Sequence, residues 1–303
     1  MSGPGGRQLL GRRETRDLID RMSPRARPRF LTATAALQAA CVALGMVSSS
    51  PSCAESLKAQ YSLSLLGLSF GTAYASGEFE PEKYHIDISM KTSGLANLIN
   101  NTRGAATASG RLAASGPEPA SFAHTLANDY ETRSIRMTLA GNAVRALKVE
   151  PPPWDASQRI PVTDEQKQHV VDPVSALIMS VPAGAPLVGP SACNRTIPVF
   201  DGVTRFDVRL SYVETRAAQT KGYEGPVSVC TARYQPISGH RPDSSATRFM
   251  AENREMSVWL APLQKAHAVA PLRINIKTSA GTMSIDAVEF EVGGAQSADG
   301  SRR

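Results

Sequence analysis

Gly67-Leu68-Ser69-Phe70-Gly71 spells the nucleophile elbow of α/β-hydrolases, in which a serine stands on a sharp strand-to-helix turn with its hydroxyl beside an oxyanion hole. The next residues do not supply the helix. Thr72 to Phe79 alternate in polarity and include Gly77, so the segment reads on as strand and its glycines as bends. The histidines, His85, His124, His169, His240 and His267, are never closer than 27 positions, whereas zinc ligands commonly come as close-spaced pairs that a turn or helix aims together. Glu78, Glu80 and Glu82 fall at alternate positions and read as the solvated face of an edge strand, where charge discourages sheet-to-sheet sticking. Phosphate loops of the GxxxxGK[ST] or helix-opening GxGxxG type are absent. The sequence therefore predicts no catalytic residue, no metal ligand and no cofactor, and the protein is expected not to be an enzyme.

Sulfur is the exception, and its reading depends on an export signal. Arg25 to Arg29 reads RARPR, and the 18 residues from Phe30 to Val47 contain neither charge nor proline. Ser52 and Ala54 then place small residues at the third and first positions before a cut, so residues 1–54 are expected to be a cleavable signal with a basic leader. A retained anchor is the alternative, but the run sits at the lower edge of the ~17–25 residues a spanning helix needs. Ala, Thr, Ser and Gly dilute it further, so no stable membrane span is expected after cleavage. Neither Cys41 nor Cys53 follows the leucine-then-two-small-residues pattern that lipid attachment wants, since LQAA and SPS precede them. Removal of the leader leaves Cys193 and Cys230, which the oxidising periplasm is expected to join as a disulfide.

The formal charge of +6 belongs largely to that leader, which carries eight arginines and three acidic residues. The remainder holds 25 basic and 24 acidic side chains, interspersed throughout. A nucleic-acid binder would concentrate cations on one face, so no nucleic-acid partner is expected, and no polybasic membrane patch.

Positioning falls to strands. Thr204 to Tyr212 puts Phe206, Val208, Leu210 and Tyr212 on one side and Arg205, Asp207, Arg209 and Ser211 on the other, the pattern of a strand with one buried face. Asp201-Gly202 reads as the turn joining it to Thr196–Phe200. Comparable segments begin at Ala59, Leu68, Tyr84, Ala105, Ser121, Ser134, Ala143, Pro226, Met250, Pro271 and Thr282, about a dozen in all, with Gly141-Asn142 and Ala280-Gly281 as further hairpin turns. Two places read as helix: one turn at Leu95–Asn100, and Val174–Ser180, which comes after an Asp172 cap and Pro173. Pro151 to Lys167 and Ala183 to Ala192 read as loops. The expected fold is all-β: an antiparallel curled sheet, or an open or partly closed barrel-like meander, with one short central helix. It would occupy residues 55–292 as a single periplasmic domain, with a disordered tail from 293 to 303.

A curled sheet that does not close can hold an apolar ligand in its concave face, and Leu65, Leu66, Leu68 and Phe70 are candidates to line it, or to serve as ordinary core. Several strings taken in order, YSLSLLGLSFG (61–71), DPVSALI (172–178), VFDGVTRFD (199–207), CTARYQPISG (230–239), VWLAP (258–262) and PLRI (271–274), resemble the exported bacterial family catalogued as domain of unknown function 3108. The resemblance implies a periplasmic all-β envelope protein and carries over no catalytic residue. The function expected is non-enzymatic binding of an envelope component in support of envelope integrity. Carriage of a lipid or other apolar ligand is the alternative, and an envelope hydrolase the third.

Overall fold

The computed structural model describes residues 54–80, 82–94 and 101–294. All of the expected export signal but Ala54, the helical turn expected at Leu95–Asn100 and all of the expected tail beyond Gly294 lie outside these residues. The described segments belong to one compact unit.

Strands β1 (Glu55–Leu65), β2 (Leu68–Glu80), β3 (Lys83–Thr92), β4 (Arg103–Ala113), β5 (Gly116–Ala127), β6 (Thr132–Ala140) and β7 (Ala143–Glu150) form the first half. Strands β8 (Met179–Ser180), β9 (Arg195–Phe200), β10 (Arg205–Thr220), β11 (Tyr223–Ser238), β12 (Met256–Leu263), β13 (Ala268–Thr278) and β14 (Gly281–Gly294) form the second. Every pairing between these strands is antiparallel, and the order is β7-β6-β5-β4-β3-β2-β1-β14-β13-β12-β11-β10-β9, with β8 attached to β13. The expected all-β meander is therefore the observed fold. Gly141-Asn142 forms its predicted turn with φ near +60° at both residues, the mirror-image geometry that matches strand twist.

The period of two decides which side chains face inward. Leu57, Ala59, Tyr61 and Leu63 of β1 share a face with Phe79, Ala75 and Ala73 of β2 and with Tyr84, Ile86 and Ile88 of β3. On β4 that face carries Gly104, Ala106, Ala108 and Gly110, small residues that leave space beneath the sheet. Two buried clusters result. One runs from Leu57 and Phe79 through Phe122 and Met137 to Phe290, and the other surrounds Cys193 and Cys230 with Leu210, Val258, Leu260 and Val269.

The sheet curls without closing. Strand β13 pairs with β14 only from Arg273 to Thr278, and the tip of the β10–β11 hairpin packs against β14 beyond that point. There Phe290 N donates to Lys221 O at 2.8 Å, Thr220 Oγ1 donates to Ala287 O at 2.9 Å, and Tyr223 meets Phe290 edge-on at 5.8 Å. A strap in the long β7-to-β9 connection spans the two outer strands of the sheet. Val170 N donates to Asn142 O in the β6–β7 turn, Val171 N to Pro198 O, and Phe200 N returns to Val171 O, at 2.8 to 3.0 Å.

Four expectations change in detail. Val174–Ser180 is a single 3-10 turn at Ser175–Leu177, because Met179 and Ser180 leave the spiral to pair with β13. Helix α1 (Pro190–Cys193) occupies the end of the expected Ala183–Ala192 loop. Helix α2 (Ser245–Glu252) takes the start of the strand expected from Met250, capped by Ser244 Oγ accepting from Thr247 N at 3.1 Å. Strand β14 continues through Gly293 and Gly294, past the expected domain end at 292.

Candidate functional site

The residues after the strap turn into the concave face and form a plug. Asp172, fully buried, accepts from Val174 N at 3.0 Å and Ser175 N at 2.9 Å through Oδ1, and from the Ser175 hydroxyl at 2.5 Å through Oδ2. Ser175 Oγ is also 2.7 Å from the Tyr84 hydroxyl on β3. Burial raises the Asp172 pKa, and the hydrogen bonds from Ser175 and Val174 oppose that rise. This clamp aims Leu177 into the space between the two halves of the sheet.

Two apolar lobes of about 270 Å³ each flank Leu177. One lies under the first half, walled by Leu57, Tyr61, Leu63, Ile86, Ile88, Met90 and Ile285. The other lies under the second half, walled by Ile197, Phe206, Val208, Ala232, Tyr234, Met250 and Val258. Pro271 and Ile274 border both. Tyr61 crosses from β1 to donate its hydroxyl to Pro271 O at 2.8 Å, and burial pushes its pKa up. The polar atoms of Asn275 are occupied by Ser257 and Ser284. Along the first lobe Leu57, Leu63, Phe79 and Ile86 are buried, whereas Ile88, Met90 and Ile285 face inward yet stay half-buried.

Larger concavities of about 620 Å³ lie elsewhere. One is an outer trough carrying Lys58, Tyr74, Asp87 and Glu289, and the other is a cleft beside Arg195 and Asn194. Their walls mix charged and polar side chains with apolar ones. The inner lobes are smaller, but they meet the chemical description of a ligand site: concave, apolar, with few polar groups.

Sequence reasoning placed such a cavity at Leu65, Leu66, Leu68 and Phe70, and the structure moves it. Leu66 and Leu68 are exposed on the β1–β2 turn, and the lining comes from the preceding inward positions of β1. The signal was present in the alternation of Leu57, Ala59, Tyr61 and Leu63, and in DPVSALI, whose leucine divides the lobes.

The other candidates stay apart. Ser69 is exposed on strand β2, not on a strand-to-helix turn, with its hydroxyl 3.4 Å from that of Ser62. Glu78 and Glu80 lie on β2, which is flanked by β1 and β3 and is no edge strand, and Glu82 sits in the turn after it at φ 66°. His85 contacts Asp87 at 3.0 Å on the surface, and His267 Nε2 meets Pro182 O at 3.1 Å. His124 stacks on Phe122, and burial lowers its pKa. Among the described residues no three His, Cys, Asp or Glu side chains gather as a metal site. Cys193 on α1 and Cys230 on β11 form the expected disulfide, 5.7 Å between Cα atoms.

Comparison with known proteins adds a family and a similarity to a solved structure. A crystal structure described as a β-barrel-like protein of domain of unknown function DUF1849, from Brucella abortus, is similar over 80% of this chain and 98% of that one, at 12% identity and a TM-score of 0.45. No curated protein matches the sequence. The profile described as protein of unknown function (DUF3108) matches residues 60–288, from β1 through β14. By that match across most of its length, the chain belongs to the DUF3108 family.

Proposed function

We propose that this is a non-enzymatic protein of the periplasm that holds an apolar envelope component, with the chemistry of a lipid acyl chain, in the lobes beside Leu177. The reading joins the two leading expectations from sequence, an envelope binder and an apolar carrier. Its support is that the lobes are walled by apolar side chains and left unfilled by the protein itself. Each lobe of about 270 Å³ leaves apolar wall uncovered by the protein, and an acyl chain would bury that surface. The Cys193–Cys230 bridge fits an oxidising compartment, and among the described residues no helix is long and apolar enough to cross a membrane. The hydrolase reading draws nothing from Ser69, which lacks the elbow's geometry.

The test is native mass spectrometry of protein recovered from a bacterial periplasm, with binding of a fluorescent fatty acid measured in parallel. Lipid adducts and saturable probe binding are expected. Ala73→Phe in the first lobe and Ala232→Phe in the second should each lower probe affinity. Bare protein that also ignores the probe rejects the reading.

A further inference from the structure

The rim beside the first lobe carries two features that oppose folding and that nothing among the described residues offsets. Leu66 and Leu68 are 68% and 76% exposed. Leu66 also has φ of 53°, a left-handed conformation that costs an L-residue about 1–2 kcal/mol and that such hairpin turns ordinarily give to Asn, Asp or Gly. On β3 and β4, Lys91 and Arg103 are exposed and stand directly opposite each other. Neither has a carboxylate partner among the described residues, and like charges in that register repel.

These groups share one stretch of rim. Leu66 N donates to Thr282 O, Ser93 N to Phe70 O and Asn101 N to Asp129 Oδ2, all at 2.8 to 2.9 Å, so the turns after β13, β1 and β5 stand in a row with Ser93 and Asn101 at the facing ends of β3 and β4. Tyr130, 83% exposed, continues it. The acidic groups of the row are engaged, Asp129 by the Asn101 amide and Glu131 by Arg133 at 3.1 Å.

We propose that this rim docks on an anionic lipid bilayer, with Leu66 and Leu68 entering the boundary between headgroups and acyl chains and Lys91 and Arg103 meeting the phosphates. Apolar tips flanked by cations match that boundary on both counts. Two leucines and a tyrosine fall far short of the ~800 Å² per partner of a stable protein interface, which argues against a second copy. With nearly balanced charge over the rest of the chain, the attraction is local and salt-sensitive rather than long-range. The inference goes beyond the cavity reading, because it uses the rim's own side chains and stands or falls separately.

The test is flotation of the protein with vesicles of phosphatidylcholine alone or mixed in equal parts with phosphatidylglycerol. Binding to the mixed vesicles is expected at low ionic strength and should fade in high salt. The double variant Leu66→Asn, Leu68→Ser should bind about tenfold less, and Lys91→Gln with Arg103→Gln should erase the preference for phosphatidylglycerol. Both pairs alter exposed side chains, Asn suits a positive φ and the Gln pair relieves the like-charge contact, so thermal stability should equal or exceed the parent's and fatty-acid probe binding should match it. Retained probe binding with lost flotation isolates the rim; lost probe binding in the parent would instead reject the cavity. Parent protein that stays out of the floated phosphatidylglycerol vesicles, or a double leucine variant that binds as the parent does, overturns the proposal.

Discussion

Asp172 offers the sharpest test of how the cavity is shaped. Replacing it with alanine strands the Val174 and Ser175 amides in a fully buried site and removes one of two partners of the Ser175 hydroxyl. Each stranded donor costs about 1–3 kcal/mol, and relief of the carboxylate's own burial offsets part, leaving an expected loss of about 3 kcal/mol. Asp172→Asn keeps an oxygen for the two amides and should lose about 1 kcal/mol. The two variants also separate by pH. Burial raises the Asp172 pKa, so the folded state holds this proton more tightly than the unfolded chain does. Stability from the group is then full below the ordinary carboxylate range and declines as pH rises through the raised value. The gap between parent and Asp172→Asn should accordingly be widest in acid and narrow toward neutrality. Urea denaturation followed by tryptophan fluorescence reads this directly, since Trp259 lies between Arg216 and Arg273, 5.3 and 4.6 Å from the ring centre. An alanine variant within about 1 kcal/mol of the parent at an unchanged m-value, or a pH-independent asparagine gap, would refute the clamp.

Three further outcomes are expected. Cys193→Ala with Cys230→Ala opens a 37-residue separation and should cost about 4 kcal/mol in the chain-entropy model, lowering the thermal midpoint by roughly 10 °C; thiol labelling of the native parent should find no free cysteine, and full labelling without reductant would contradict the bridge. Leu177→Ala should join the two lobes and shift fatty-acid binding toward longer chains, measured as relative affinity across a chain-length series; an unchanged preference would mean that Leu177 does not divide the site. Gly239 has φ of 80°, and a Cβ there would lie 2.0 Å from Val203 O, so Gly239→Ala should lose more than about 3 kcal/mol; a melting curve superimposable on the parent's would show that the turn relaxes freely.

Much of this fold is legible in local patterns, and the places where reading fails share a cause. The alternation at Phe206, Val208 and Leu210 identifies β10 but not its length, because a bulge between Tyr212 and Glu214 shifts the parity while the strand runs on to Thr220. Asp172 reads correctly as an acceptor for a first helical turn. The course of the chain beyond that turn is set by distant pairing with β13, which no local signal announces. Helix α2 is legible in Ser244 and the residues after it, but Met250 and Met256 both line the second lobe and together mimic a strand start. The sequence places the cavity in the right hairpin and at the wrong end. Whether a row of leucines caps a turn or lines a hollow depends on which face the sheet curls around, a property of all its strands together.

The first and last strands are neighbours at the middle of the sheet, with Glu55 opposite Gly294 and Leu65 opposite Met283. A polypeptide delivered from its leading end must therefore keep the β1 edge unpaired until residues 281–294 arrive, after every other strand. Non-local closure of this kind is slow, and an unpaired edge is a template for aggregation. Pairing of the β1 edge thus waits on β14, and loss of that strand would expose the centre of the sheet instead of trimming its margin.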